Sequence, residues 1–161
     1  MIQNIPNIPK TYQLLYTQNN IQEAVKILGN QISTWCYEVK ERTNKNVIAL
    51  VILKGGIFFF TDLIRNISNS LDVETIQANS IGKNNEYLDN IEIKIDMLGD
   101  INGRSILLVD DVCESARTIF TIEKMLTKRG ADVRSAVLVY KTSSKNNHYF
   151  PLTVKIIGLL T

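Results

Sequence analysis

Ser105–Ile119 reads SILLVDDVCESARTI, and the rest of the chain takes its meaning from this stretch. Ser105 to Val109 has the length and composition of a strand buried on both faces, and it ends in two acids, Asp110 and Asp111. From Thr118 to Arg129, Ile119, Ile122, Met125 and Leu126 recur at helical spacing, and Gly130 stops the pattern. A strand that leads through a hydroxyl-bearing turn into a helix is a place for an anion, because the first N–H groups of a helix have no partner within it. Ser115 and Thr118 add hydroxyl donors there, and Arg117 adds charge. Two carboxylates just before such a cradle suit sugar hydroxyls or a magnesium ion, which prefers carboxylates and water. The plainer reading is an acidic strand end followed by an ordinary capped helix.

Working outward, Val47 to Leu53 is a second continuous apolar run, and Lys54-Gly55-Gly56 breaks it. Ile57 to Asn69 then reads as a helix with Phe59, Leu63 and Ile67 inside, and Phe58, Phe59 and Phe60 are expected in the core rather than stacked on a ligand. Leu71 to Ala78 is a strand, and the polar stretch Asn79 to Asn90 is a long connection of the kind that is often functional. Ile91, Ile93 and Ile95 alternate with charged residues as a half-exposed strand does, and Gly99 to Gly103 makes a turn. Val133 to Tyr140 is a further strand leading to Lys141, residues 142–148 are a polar loop, and Val154 to Leu160 is a last strand. Upstream, Ile21, Val25, Leu28, Ile32 and Trp35 share one face of a helix expected from Thr17 to about Glu41. Thr17 or Asn20 caps it, the latter with Glu23 three residues on, and the first ten residues, with Pro6 and Pro9, are an irregular lead-in. Strands alternating with helices predict an α/β fold, a mainly parallel twisted sheet with flanking helices. If the strands are adjacent and parallel, Lys54-Gly55-Gly56, Asp110-Asp111 and Lys141 share one rim, beyond the carboxyl ends where open sheets bind ligands.

The composition sets outer limits. At 161 residues and 45% hydrophobic, the chain is expected to be one domain over residues 1–161 with a core of its own. With 21% charged residues and a formal charge of +2, it is neither a disordered chain nor a dedicated nucleic-acid binder with a basic face. The longest aliphatic run, Val47 to Leu53, is far short of the roughly 20 residues of a membrane span. No secretory signal is evident in MIQNIPNIPK. Cys36 and Cys113 supply neither a disulfide framework nor a zinc site; a reduced, cytoplasmic chain is the simpler expectation, with a single bridge as the alternative. Cys113 is expected in packing, and His148, the only histidine, in a loop.

LLVDD also opens response-regulator receiver domains. Those carry the acid pair near the N-terminus with an acceptor aspartate at a later strand end. Here the pair lies two-thirds along the chain, and no aspartate follows Asp132.

SILLVDDVCESARTI resembles the phosphoribosyl-pyrophosphate (PRPP) signature of type I phosphoribosyltransferases. Leu53-Lys54-Gly55-Gly56, followed by Phe58 and Leu63, is similar to the first pyrophosphate loop of the hypoxanthine-guanine branch. GDINGRSILLVDD is similar to the approach to the signature and VLVYK, at 137–141, to the purine-site strand. The resemblance covers roughly residues 14–145. It implies a purine-salvage enzyme making IMP or GMP, with XMP as a further product, and pyrophosphate from PRPP and a 6-oxopurine base. It implies magnesium and ribose hydroxyls on Asp110 and Asp111, and the 5′-phosphate on Ser115, Ala116, Arg117 and Thr118. Pyrophosphate would lie on Lys54, Gly55 and Lys145, with a strained peptide before Lys54 that takes a cis form in some such sites. Lys141 would donate to the purine O6, and Glu114 would be the catalytic carboxylate near N7. Residues 79–90 would close over the site, and the chain would form a dimer or tetramer, with no nucleic-acid or membrane partner.

The chain departs from the pattern at four places. Glu114 stands where the family has aspartate, Ala116 where it has glycine, and Ser80-Ile81 where its mobile loop has a Ser-Tyr pair. The sequence ends at Thr161, which implies a short or missing C-terminal hood. These departures motivate the alternative of a catalytically weak or inactive PRPP-binding regulatory protein of the same fold.

Overall fold

The structure, a computed structural model, describes residues 16–80, 91–93, 98–113, 117–140 and 155–158. In chain order the elements are α1 (Gln18–Thr43), β1 (Val47–Leu53), α2 (Gly56–Ile64), β2 (Leu71–Ser80), β3 (Ile91–Ile93), β4 (Ser105–Cys113), α3 (Arg117–Lys128), β5 (Asp132–Tyr140) and β6 (Lys155–Gly158).

The uninterrupted apolar run of β1 follows from burial on both faces. Val47, Ala49 and Val51 enter one core layer with Leu28, Ile32 and Val39 of α1 and Phe59, Phe60 and Leu63 of α2. Ile48, Leu50 and Ile52 enter the opposite layer with Ile119, Ile122 and Leu126 of α3. Successive strand residues point to opposite faces, so no position from Val47 to Ile52 is left for water. The six strands lie in the order β3-β2-β1-β4-β5-β6. β1 pairs in parallel with β2 and β4, and β4 with β5, while β3 and β6 are antiparallel edges. α2 carries the chain from β1 outward to β2 on one face, and α3 carries it from β4 to β5 on the other. The winding therefore reverses between β1 and β4, and a crevice opens at their carboxyl ends.

α1 begins with a capping box: Thr17 Oγ1 accepts from the Asn20 N–H at 3.2 Å, and Asn20 Oδ1 accepts from the Thr17 N–H at 3.0 Å. Thr17 is thus the cap and Asn20 its partner. The helix runs past Glu41 to Thr43 and stops on Asn44, whose φ of 54° is the left-handed end that asparagine tolerates. Midway, Gly29 lets the chain just beyond α2 approach. A methyl group there would lie 2.5 Å from the Asn66 carbonyl oxygen and 2.6 Å from Asn66 Cβ. Alanine would favour the helix by about 1 kcal/mol, but the overlap costs about 1–3 kcal/mol. Gly29→Ala is therefore expected to lower stability, read as a reduced urea midpoint at unchanged m-value; a raised midpoint would contradict the contact.

Several boundaries differ from expectation, each for a local reason. α2 stops at Ile64, not Asn69. Asn66 Nδ2 donates back to the Asp62 carbonyl and the Ser68 N–H to Ser33 Oγ of α1, so this polar run bonds outside the helix ladder. Phe58 is 81% exposed, contrary to its core assignment, because the buried face of a short helix is filled by Phe59, Phe60 and Leu63. β2 continues through Asn79 and Ser80, which pair with Glu92 and Ile91. β4 continues past the acids to Cys113, pairing with β5 as far as Tyr140. The last strand is Lys155–Gly158, inside the expected range. The lead-in, residues 81–90, Ile95 and residues 142–148 lie outside the described residues. Cys36 and Cys113 are both buried, in different core layers, and are not bridged to each other. Burial pushes the Cys36 thiol up to about 11. No helix among the described residues is long and apolar enough to cross a membrane.

At the other end of the sheet, where β1, β2 and β4 begin, Arg104 Nη2 donates to Asp72 Oδ2 at 2.7 Å and to the Asn46 carbonyl at 3.3 Å. Asn46 Nδ2 donates to Asp72 Oδ1. That hydrogen bond and the Arg104 guanidinium hold the Asp72 carboxyl below its ordinary value.

Candidate active site

The crevice between β1 and β4 is lined by the residues that the sequence singles out. After Leu53 the chain passes through a cis peptide to Lys54 and turns into α2 at Gly56. Lys54 and Gly55 are exposed at the rim. Gly55 has φ −58° and ψ −50°, so its backbone conformation is open to any residue. Space is what requires glycine: a methyl group on Gly55 would lie 2.6 Å from Asp111 Oδ1 and 2.8 Å from Oδ2. A methyl group on Gly56 would lie 3.0 Å from the Val109 carbonyl oxygen and 3.3 Å from Asp110 Cα. The loop after β1 thus rests directly on the acid pair of β4. The sequence placed Gly56 on the rim with Lys54 and Gly55 but gave a ligand role only to Lys54 and Gly55.

Asp110 and Asp111 are half-buried within β4, whose pairing continues for two residues beyond them. Asp111 turns to the α2 side, where Gly55 meets it. The alternation that places Ile106 and Leu108 beneath α3 continues to Asp110. The Asp111 N–H donates to Asp110 Oδ1 at 3.0 Å and the Val112 N–H to Asp111 Oδ1 at 2.8 Å, which holds both carboxylates near the backbone. Burial pushes the Asp110 carboxyl up to about 7; the Asp111 N–H bond opposes this and the Asp111 charge adds to it.

α3 starts at Arg117, with three residues between it and the end of β4, so its N-terminus lies at the same rim. Thr118 is half-buried in its first turn. The end of β5 at Tyr140 completes the expected row, since β1, β4 and β5 are adjacent and parallel. Glu114, Ser115, Ala116, Lys141 and Lys145 lie outside the described residues, as does the side chain of Arg117. The structure therefore brings together Gly55, Asp110 and Asp111, with Lys54 and Thr118 on elements that open onto the same rim.

A doubly wound sheet with paired acids and a helix N-terminus at its switch point is an arrangement with which α/β folds can hold a phosphorylated ligand at the sheet's carboxyl edge. The family described as "phosphoribosyl transferase domain" matches residues 17–157, and the chain belongs to it. Over 116 residues the chain is 32% identical to a hypoxanthine-guanine phosphoribosyltransferase of Mycobacterium bovis, a match covering 72% of this chain and 57% of that protein. Over 134 residues it is 30% identical to one of Streptococcus pneumoniae, covering 83% and 71%. The chain thus spans little more than half the length of the mycobacterial relative. The crystal structure of a hypoxanthine phosphoribosyltransferase from Staphylococcus aureus is similar with a TM-score of 0.69 at 25% identity, covering 91% of this chain and 77% of that one.

Proposed function

We propose that this chain transfers the phosphoribosyl group of PRPP to a 6-oxopurine, giving IMP or GMP, with XMP as a further product, and pyrophosphate. The observation that carries this reading is the contact of Gly55 with Asp111, which makes one crevice of the loop after β1 and the acids of β4. In this reading Asp110 and Asp111 take the ribose hydroxyls, and Ser115, Ala116, Arg117 and Thr118 the 5′-phosphate. Lys54, Gly55 and Lys145 take the pyrophosphate, and Lys141 the purine O6. The bond from ribose C1 to the pyrophosphate oxygen breaks, its electron pair leaves with pyrophosphate, and a purine nitrogen bonds to C1. Glu114 receives the purine proton, a role that requires hydrogen-bond reach rather than a special geometry.

The acid pair fits a magnesium ion. No group of three or more ligating side chains occurs among the described residues, and two carboxylates suit a cation that keeps waters and takes further ligands from substrate phosphates. Burial, with the neighbouring Asp111 charge adding to it, raises the Asp110 carboxyl, and a cation there would offset both. Bound through Asp110 and Asp111, magnesium would spread the charge of the departing pyrophosphate.

Assembly as a dimer or tetramer belongs to the same reading, and the exposed Phe58 ring is apolar surface of the kind an interface covers. The test is IMP, GMP or XMP formation from PRPP and each base, with and without magnesium. Magnesium-dependent turnover is expected. No turnover with any of the three bases would overturn the proposal, and PRPP binding without turnover would favour a regulatory binding protein, in line with Glu114 and Ala116.

A further inference from the structure

Glu123 and Ser135 are polar residues in the layer between α3 and the sheet that is otherwise apolar, with exposures of 4% and 0%. The Ser135 hydroxyl donates to Glu123 Oε1. Glu123 stands on α3, roughly 7.5 Å along the axis from Thr118 at 1.5 Å per residue. Ser135 stands on β5 between Val133 and Val137, which pack beneath the same helix. The other contacts that seat α3 come from the apolar Ile119, Ile122 and Leu126, with Met125 partly buried beside them. Apolar contact is non-directional, so a helix resting on such a stripe can roll slightly at little cost, whereas a hydrogen bond fixes direction. Burial pushes the Glu123 carboxyl up and the Ser135 bond works against this, so the carboxyl carries a desolvation penalty here. A leucine at 123 and a valine at 135 would fill the layer without that penalty.

We propose that Glu123 and Ser135 are a positioning pair: their bond sets the roll of α3 and so aims its first turn, with Arg117 and Thr118, at a substrate phosphate. This rests on reading the rim as a phosphoribosyl site. It adds to that reading a device lying about one and a half turns away from the phosphate, on the buried side of the helix.

The test is the double variant Glu123→Leu/Ser135→Val, which replaces both polar groups with apolar ones. Its unfolding midpoint is expected at or above that of the unmodified chain. Its KM for PRPP is expected to rise about tenfold, short of the roughly 100-fold that a 1 Å misplacement brings, with kcat changed less. Amide hydrogen exchange at residues 117–120 should quicken. Ser135→Thr, which keeps the hydroxyl, should retain the original KM where Ser135→Ala does not. Unchanged KM and unchanged exchange in a stable double variant would overturn the proposal. If that variant does not fold, the Ser135→Ala and Ser135→Thr pair decides the same question. If the unmodified chain neither binds nor turns over PRPP, the phosphoribosyl reading fails; first-turn exchange at equal global stability still separates a set helix from an indifferent one.

Discussion

Gly55→Ala is expected to reduce transfer by on the order of 100-fold while leaving the fold nearly as stable as before. The two effects separate because of what the new methyl group meets. It would lie 2.6 Å from Asp111 Oδ1, at the free end of a side chain, and not against backbone. Alanine is at ease at φ −58° and ψ −50°, so the loop itself has no reason to unfold. The carboxylate must swing away instead, and it gives up the bond from the Val112 N–H, 2.8 Å long, that holds it. An acid displaced by about 1 Å no longer meets the ribose hydroxyls it is proposed to hold. Steady-state kinetics beside a melting curve checks this. A large loss of stability, or activity within about twofold of the unmodified chain, would contradict it. Gly56→Ala should behave differently, because its neighbours are the Val109 carbonyl and Asp110 Cα, which belong to the sheet and do not turn aside.

Asp110→Asn is expected to abolish most transfer and to stabilise the fold above neutral pH. The Asp110 carboxyl is pushed from its ordinary 3.8 to about 7, chiefly by burial. Between those values the folded chain holds a proton that the unfolded chain has lost. Stability therefore falls as pH rises through that window, and the penalty is complete above it. A fully buried group with such a shift would forfeit about 4 kcal/mol. Asp110 is only half-buried, and solvent screening reduces the effect to about 1–2 kcal/mol. Asparagine carries no charge and escapes the penalty. Urea unfolding should show no difference near the ordinary pKa of 3.8 and the more stable variant above pH 7. Equal stability at both ends of the window would remove the argument.

The sheet was legible because its strands are apolar without interruption. A run such as Val47–Leu53 has no polar alternation to spend on solvent, so it must lie between two layers, and that requires helices on both faces. α1 was legible from its period and α3 from its terminal glycine. What periodicity could not locate was the end of α2, set by the Ser68 N–H bonding to Ser33 Oγ from 35 residues away. Nor could it extend β4 through two acids, because strand pairing with Val137, Val139 and Tyr140 outweighs the low strand preference of aspartate. Phe58 shows the same limit from the other side, since hydrophobicity alone does not say which face of a helix is out. In the site, the adjacency of Lys54-Gly55-Gly56 to Asp110-Asp111 was conditional on strand order in the sequence. It became a contact once β1 and β4 were neighbours. Glu123 and Ser135 gave no sequence signal, because their roles depend on a helix and a strand facing each other.

The knot of Arg104, Asp72 and Asn46 has an evolutionary consequence. It ties the starting ends of β1, β2 and β4, the end of the sheet away from the crevice. The groups that keep the strands in register and the groups proposed to meet substrate thus lie on different sets of residues. Changes among the rim loops can alter specificity without loosening the framework that carries them. A chain organised this way can change at its rim and remain folded, which leaves selection free to keep, adjust or abandon the chemistry.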